Sequence, residues 1–173
     1  MAGSPLVVPV AELLRRPGTR RSLQVTVDAE GLEARDARVP DGSPLEVDVV
    51  LESLADGVVV SGQIRSGWEG TCRRCLGPAS GSLAADVHEL YQHRPLDEEA
   101  FTFEGDQLDL RPMVRELAIV ELPTAPLCRD ECRGLCPICG VDRNTLDCGH
   151  DEAPADPRWS VLDALRERLP ESG

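Results

Sequence analysis

Apolar residues recur at every second position in three runs: Leu23, Val25, Val27; then Leu45, Val47, Val49, Leu51; then Val58, Val60, Gly62, Ile64. A period of two turns one face of each segment towards a core and the other towards water, the pattern of half-buried antiparallel strands. Ala55-Asp56-Gly57 separates the second and third runs with Asp-Gly at its tip, which predicts that these two strands pair as a hairpin. The third run leads into Cys72-Arg-Arg-Cys75. After Gly77-Pro78 another extended stretch, about residues 81 to 92, is expected to return beside it. The first cysteine pair is therefore expected at a turn between strands.

Helical spacing appears in three places. Residues 9–16 read as a short helix stopped by Pro17-Gly18. Asp109 is expected to cap a second helix with Pro112 in its first turn and Met113, Leu117 and Val120 on one face, ending before Pro123. Asp156-Pro157 followed by Leu162, Leu165 and Leu169 predicts a capped amphipathic helix at the C-terminus. Residues 93–107, with Pro, acidic residues and Gly, read as an excursion loop. The fold class is thus α+β: an antiparallel sheet, open or barrel-like, with flanking helices and a small C-terminal zinc-binding knuckle. The expected division is a β-rich core, 1–122, carrying the first Cys-x-x-Cys loop, and a cysteine-rich part, 123–173, whose knuckle and helix pack on that core.

Composition narrows the chemistry. Aromatic residues are 3% of the chain, so Leu and Val must fill the core and few rings remain to stack on nucleic-acid bases. No apolar run reaches membrane-spanning length, and the first ten residues have neither the basic start nor the long apolar stretch of a secretory signal. A cytoplasmic location is expected. In that reducing compartment the 7 cysteines point to metal rather than disulfides.

The cysteines fall in a telling order. Cys136-Pro-Ile-Cys139-Gly has the form of a zinc knuckle, in which a tight turn aims two thiolates at one ion, and Cys148 and His150 complete four ligands. Cys72, Cys75, Cys128 and Cys132 remain, four more ligands of the right type. The preferred assignment is two zinc sites, the second set clamping the sheet to the tail. A single zinc on Cys128, Cys132, Cys136 and Cys139 is the competing assignment, and spacing does not choose between them. Thiolate-rich, closed sets favour a structural role over catalysis. A thioredoxin-like role would need Cys-x-x-Cys opening a helix, whereas this pair lies between strands. His88 and His93 read as surface residues. No Gly-rich phosphate loop, Ser/His/Asp set or paired-carboxylate pattern is present, so neither an enzyme nor a small-molecule substrate is expected.

A net charge of −13 disfavours a protein whose whole surface coats RNA or anionic membrane. The distribution is uneven. Arg15, Arg16, Arg20 and Arg21 cluster near the start, and Arg73 and Arg74 lie inside the first cysteine pair. Asp97, Glu98, Glu99, Glu104, Asp106 and Asp109 form a stretch without a basic residue, read as a solvated loop or a face for a basic partner. All 18 basic residues are arginine, so phosphate would be met by planar guanidinium forks.

Several motifs in order resemble the YceD-type large ribosomal RNA accumulation family, over about residues 9 to 169. They are Gly62-Gln-Ile-Arg-Ser-Gly-Trp-Glu-Gly-Thr-Cys72-Arg-Arg-Cys75-Leu76, Asp109-Leu-Arg-Pro-Met-Val-Arg-Glu-Leu, Leu122-Pro, Leu127-Cys128, Gly134-Leu-Cys136-Pro-Ile-Cys139-Gly and Asp156-Pro-Arg-Trp-Ser-Val-Leu. The resemblance implies a non-enzymatic role in synthesis, processing or stability of 23S rRNA. Its partners would be large-subunit rRNA or ribosomal proteins and assembly intermediates. Two departures stand out: Cys148-Gly-His150 where relatives often have Cys-x-Cys, and Val-Asp-Arg-Asn-Thr-Leu in place of an asparagine-rich turn. If RNA is bound directly, Arg15, Arg16, Arg20, Arg21, Arg73 and Arg74 are the expected contacts. The rival readings are a metal-dependent hydrolase or nuclease acting on rRNA, with Glu131 as the acid inside the cluster, and a redox-sensing zinc switch.

Overall fold

Alternation carried far enough makes a sheet that buries one face, and here it does so through two unusually long strands. The computed structural model describes residues 4–95 and 100–150. In chain order the elements are β1 (Val7–Pro9), α1 (Ala11–Leu14), β2 (Arg20–Asp28), β3 (Glu33–Ala34), β4 (Ala37–Arg38), β5 (Pro44–Ser53), β6 (Gly57–Thr71), β7 (Pro78–Gln92), β8 (Gln107–Asp109) and α2 (Arg111–Glu121). The main sheet runs β2-β5-β6-β4-β3, with β7 along the other edge of β6, and every ladder in it is antiparallel. Among the described residues no ladder joins β2 to β7, so the sheet stays open and the barrel-like alternative does not hold.

The hairpin expected at Ala55-Asp56-Gly57 joins β5 to β6, with Ser53 opposite Val58. The inner face carries Val47, Val49, Leu51, Val58, Val60, Ile64, Leu83, Ala85, Val87 and Tyr91. What covers that face is a second, two-stranded sheet of β1 and β8 together with both helices. Val8, Val10, Leu13, Leu108, Leu110, Met113, Val114 and Ala118 are buried there. With so few rings, Tyr91 takes the place of several aliphatic side chains; its hydroxyl lies 3.3 Å from the Asp109 carbonyl, which accepts from it.

Several expectations shift. The first helix is a single turn, Ala11–Leu14, preceded by a short strand that the apolar pattern did not separate from it. β7 begins at Pro78, ahead of the expected start near 81, because small polar residues carry the ladder outward to the cysteine turn. The segment read as an excursion loop returns to the sheet: Gln92 bridges to Thr102, Phe103 is buried, and β8 pairs with β1. Asp109 precedes the first helical residue by two, so Leu110 occupies the cap position. The Asp109 carboxylate still accepts the Arg111 backbone N–H at 3.0 Å. The buried face of α2 is Met113, Val114 and Ala118, with Leu117 half-buried, whereas Val120 is 73% exposed. Spacings of one, three and four all fit a helix face, and which stripe is buried depends on where the sheet lies. The expected C-terminal helix lies outside the described residues.

Gly62 sits where β6 is flanked by β5 and β7, opposite Val49 and Val87. Its φ is +152°, and an added Cβ would run into the Asp48 carbonyl oxygen and lie 2.7 Å from the Val49 Cα. Gly67, in the same strand, would place its Cβ no nearer than 3.8 Å to the Gly81 carbonyl oxygen. Gly62→Ala should therefore cost about 2–3 kcal/mol through backbone displacement, and Gly67→Ala less than about 1 kcal/mol. Urea unfolding midpoints of the two variants test this; equal midpoints would show that the approach at Gly62 carries no constraint.

Candidate metal centres

The β6–β7 ladder ends at the pair Thr71 and Pro78, and residues 72–77 turn the corner. That turn is a knuckle. The Cys72 N–H donates to the Gly77 carbonyl at 2.8 Å and the Leu76 N–H donates to the Cys72 carbonyl at 2.9 Å. Leu76 follows the second cysteine with φ at +60°. Cys136-Pro-Ile-Cys139-Gly140 repeats the device in the tail: the Gly140 N–H donates to the Cys136 carbonyl at 2.8 Å, and Gly140 has φ at +73°. The first knuckle thus holds a leucine in the left-handed region that the second gives to glycine.

The tail is brought to the first knuckle by backbone and arginine together. The Arg73 N–H donates to the Pro126 carbonyl at 2.9 Å, and the Leu135 N–H to the Arg74 carbonyl at 3.1 Å. Arg74 Nη1 donates to the Asp130 and Cys132 carbonyls, both at 3.1 Å. Cys72 and Cys132 are then buried with Ala79, beneath Trp68, Cys75 and Leu127.

Two groups of four ligand atoms result, Cys72, Cys75, Cys128 and Cys132 in one and Cys136, Cys139, Cys148 and His150 in the other. Within each group all atoms lie within 4.8 Å of one another. Cys72 Sγ is 3.8 Å from Cys132 Sγ, Cys75 Sγ is 3.7 Å from Cys128 Sγ, and Cys136 Sγ is 3.7 Å from His150 Nδ1. These separations are far beyond a disulfide bond of about 2.05 Å. They match the edge, ~3.8 Å, of a tetrahedron of sulfurs around an ion with bonds of about 2.3 Å. Each group could hold a metal ion. The competing grouping of Cys128, Cys132, Cys136 and Cys139 is not the one gathered.

Protonation in the two groups is set by N–H donors aimed at some sulfurs and by desolvation and crowding at others. Burial opposes the Cys72 thiolate, yet backbone N–H groups of Cys75, Cys128 and Arg74 aimed at its sulfur bring it down to about 6. Cys136 is held at about 6 chiefly by the N–H groups of Cys139 and Ile138. Cys132 is lowered in spite of burial by the Asn144 side chain and the Gly134 N–H. Cys128 goes the other way: loss of water and the sulfurs of Cys132, Cys75 and Cys72 push it up to about 12. Cys75 and Cys148 are also raised. Each receives a backbone N–H, from Gly77 and His150, but desolvation and neighbouring sulfurs outweigh it. Each group therefore has a sulfur ready to ionise and others held back by accumulating negative charge, an electrostatic problem that a divalent cation relieves.

The arginines expected to meet RNA do not form one surface. Arg20 pairs with Glu52 at 3.0 Å, and Arg21 donates to the Pro9 carbonyl at 2.9 Å. Arg15, Arg16 and Arg73 are exposed and have no side-chain partner among the described residues. Arg15–Arg21 lie near the β5–β6 turn and Arg73/Arg74 at the far end of β6, whose 15 residues span roughly 45 Å. Arg74 is a structural strut; its position inside Cys-x-x-Cys was legible, its carbonyl partners were not. Glu131 is exposed and belongs to neither ligand group. Of the acidic stretch, Glu104 and Asp106 are exposed and Asp109 pairs with Arg111 at 2.6 Å, while Asp97, Glu98 and Glu99 lie outside the described residues.

An open antiparallel sheet with two cysteine-rich ligand groups clustered at one end is the class that this fold and site define. The chain belongs to the YceD family: the family model for the large ribosomal RNA subunit accumulation protein YceD matches residues 60–166. An uncharacterised protein of Mycobacterium tuberculosis is 34% identical over 92% of this chain and 80% of its own length. One of Mycobacterium leprae is 31% identical over 98% of this chain and 82% of its own. The chloroplastic YCED homolog 1 of Arabidopsis thaliana, a large ribosomal RNA subunit accumulation protein by name, is 22% identical over 91% of this chain and 57% of its own length. No solved structure matches the chain.

The knuckles and their strut make separable predictions. Gly140 has no atom within 4 Å of an added Cβ, so Gly140→Ala should cost about 1 kcal/mol from the left-handed backbone alone. Thermal unfolding reads this directly. Arg74→Ala should make the 128–136 segment several-fold more sensitive to limited proteolysis, whereas Arg73→Ala should leave it unchanged. Equal sensitivity of the two variants would show that Arg74 is no strut.

Proposed function

We propose that this protein is a non-enzymatic factor in large ribosomal subunit biogenesis that supports the synthesis, processing or stability of 23S rRNA, with two structural zinc ions holding its tail to the sheet. The observation that carries the reading is the family match over residues 60–166, a span that contains both ligand groups. Zinc is the metal favoured by sets of four and three thiolates, the latter completed by an imidazole, at tetrahedral spacing. Four protein ligands leave no open coordination position. That supports a structural role over metal-assisted hydrolysis, which needs a site for water or substrate.

The site of action is the cytoplasm. Among the described residues no helix is long and apolar enough to cross a membrane. Direct RNA contact would be local, through Arg15, Arg16 and Arg73, because a net charge of −13 repels phosphate elsewhere. The same charge favours a basic ribosomal protein or an assembly intermediate as the docking partner.

Two measurements test the reading. Purified protein should contain 2 zinc ions per chain, and chelation should loosen residues 123–150 before the β-sheet; protein that stays free of zinc when supplied with it would refute the metal assignment. Depletion in the native host should lower 23S relative to 16S rRNA and reduce free large subunits. An unchanged ratio would refute the biogenesis assignment.

A further inference from the structure

The loop that carries the second ligand group also reaches into the first. Asn144 lies between Cys139 and Cys148, yet its Nδ2 donates to Cys132 Sγ at 3.3 Å and to Asp142 Oδ1 at 2.7 Å. Its Oδ1 accepts from the Arg133 backbone N–H at 2.9 Å and from Arg129 Nη2 at 2.7 Å. A side-chain amide offers two N–H donors and an oxygen with two lone pairs, so every hydrogen-bonding position of Asn144 is in use. The partners also fix which way the amide faces. Turned over, its oxygen would meet a cysteine sulfur and a carboxylate, and its NH2 an N–H and a guanidinium.

Further bonds fasten this loop to the segment that joins the two groups. The Asn144 N–H donates to Asp142 Oδ1 at 2.9 Å. The Arg143 N–H donates to the Gly134 carbonyl at 2.9 Å, and the Cys136 N–H to the Val141 carbonyl at 2.8 Å. Only Arg133, Gly134 and Leu135 separate Cys132 of the first group from Cys136 of the second. Residues 140–147 are tied at both ends when Cys139 and Cys148 hold the same ion. Without that ion only these hydrogen bonds hold the loop, and Asn144 with it, against the first group.

We propose that Asn144 is a positioning residue that couples the two metal centres: filling the Cys136, Cys139, Cys148, His150 group holds Asn144 against the Cys132 sulfur, so that each ion is bound more tightly when the other is present. The inference rests on the zinc reading above. A divalent ion in a group of four thiolates leaves two negative charges on the sulfurs, and an N–H donated to one of them offsets part of that charge without competing for the metal. Partners of metal ligands are typically worth about 10–100-fold in metal affinity. Coupling of binding free energies is reciprocal, so the first ion must favour the second by the same factor.

The test uses the purified full chain and competition of zinc ions against a chromophoric chelator, with cobalt(II) as a spectroscopic probe of the first group. Cys148→Ser disables the second group and should weaken the first by about tenfold or more. Asn144→Asp is nearly isosteric but sets a carboxylate oxygen against Cys132; it should still bind two ions, with the first group weakened to a similar degree and its sulfur-to-cobalt band shifted. Adding Asn144→Asp to Cys148→Ser should then cost much less than it does alone, the non-additivity expected of one shared element. Strictly additive losses would overturn the role of Asn144. Equal affinity of the first group in wild type and Cys148→Ser would overturn the coupling, and this comparison decides even if Asn144→Asp does not fold. A wild-type chain that binds two ions independently defeats this inference alone, whereas one that binds none defeats the zinc reading with it.

Discussion

Four sulfur atoms within 4.8 Å of one another cannot all ionise without a cation among them. The first cysteine group draws two sulfurs from the β6–β7 turn and two from a stretch more than fifty residues later. Its electrostatic demand therefore ties the sheet to the tail. In spite of burial, Cys72 is brought down to about 6 by the backbone N–H groups aimed at it, while loss of water and the neighbouring sulfurs push Cys128 up to about 12. A metal ion bound there would turn the repulsion into a link between the sheet and the tail.

The sheet exists to present that group as much as to bury a core. β6 and β7 pair over their full lengths, and their far halves carry small and polar residues rather than the Val and Leu of the core end. The ladder runs on past Trp68 to the turn that holds Cys72. Trp68 sits at the transition, packed against both the main core and the small cluster around Cys72 and Cys132. Backbone hydrogen bonds, rather than apolar area, carry the strands outward, which suits a chain short of aromatic residues.

Charge is used economically around this framework. Several arginines that look available in a linear reading are committed to carbonyl oxygens: Arg21 to Pro9, Arg74 to Asp130 and Cys132, Arg115 to Gly31 and Arg129 to the side-chain amide of Asn144. A guanidinium with five donors can bridge two carbonyls at once, as Arg74 does, where a lysine would be a point charge. Of the arginines expected to meet RNA, the exposed ones without a side-chain partner among the described residues fall apart, Arg15 and Arg16 near the β5–β6 turn and Arg73 at the far end of β6. Any recognition of phosphate by this family member is thus a matter of small separate patches set in an acidic surface.

Local information settled the elements. Period-two alternation marked β2, β5 and β6, Asp-Gly marked the β5–β6 hairpin, Pro112 and Pro123 bracketed α2, and Cys136-Pro-Ile-Cys139-Gly marked a tight turn, because each depends on backbone preferences acting over a few residues. The tertiary structure decided what lies across a distance. It left the sheet open, buried Val114 and Ala118 rather than Val120, returned Phe103 and β8 from an apparent loop, and separated the arginines. It also chose between two ways of dividing the cysteines and set Asn144 of one group against Cys132 of the other. Spacing along the chain cannot determine these, because the energy of a ligand group or a buried stripe depends on which distant segments the ladders bring within a few ångströms.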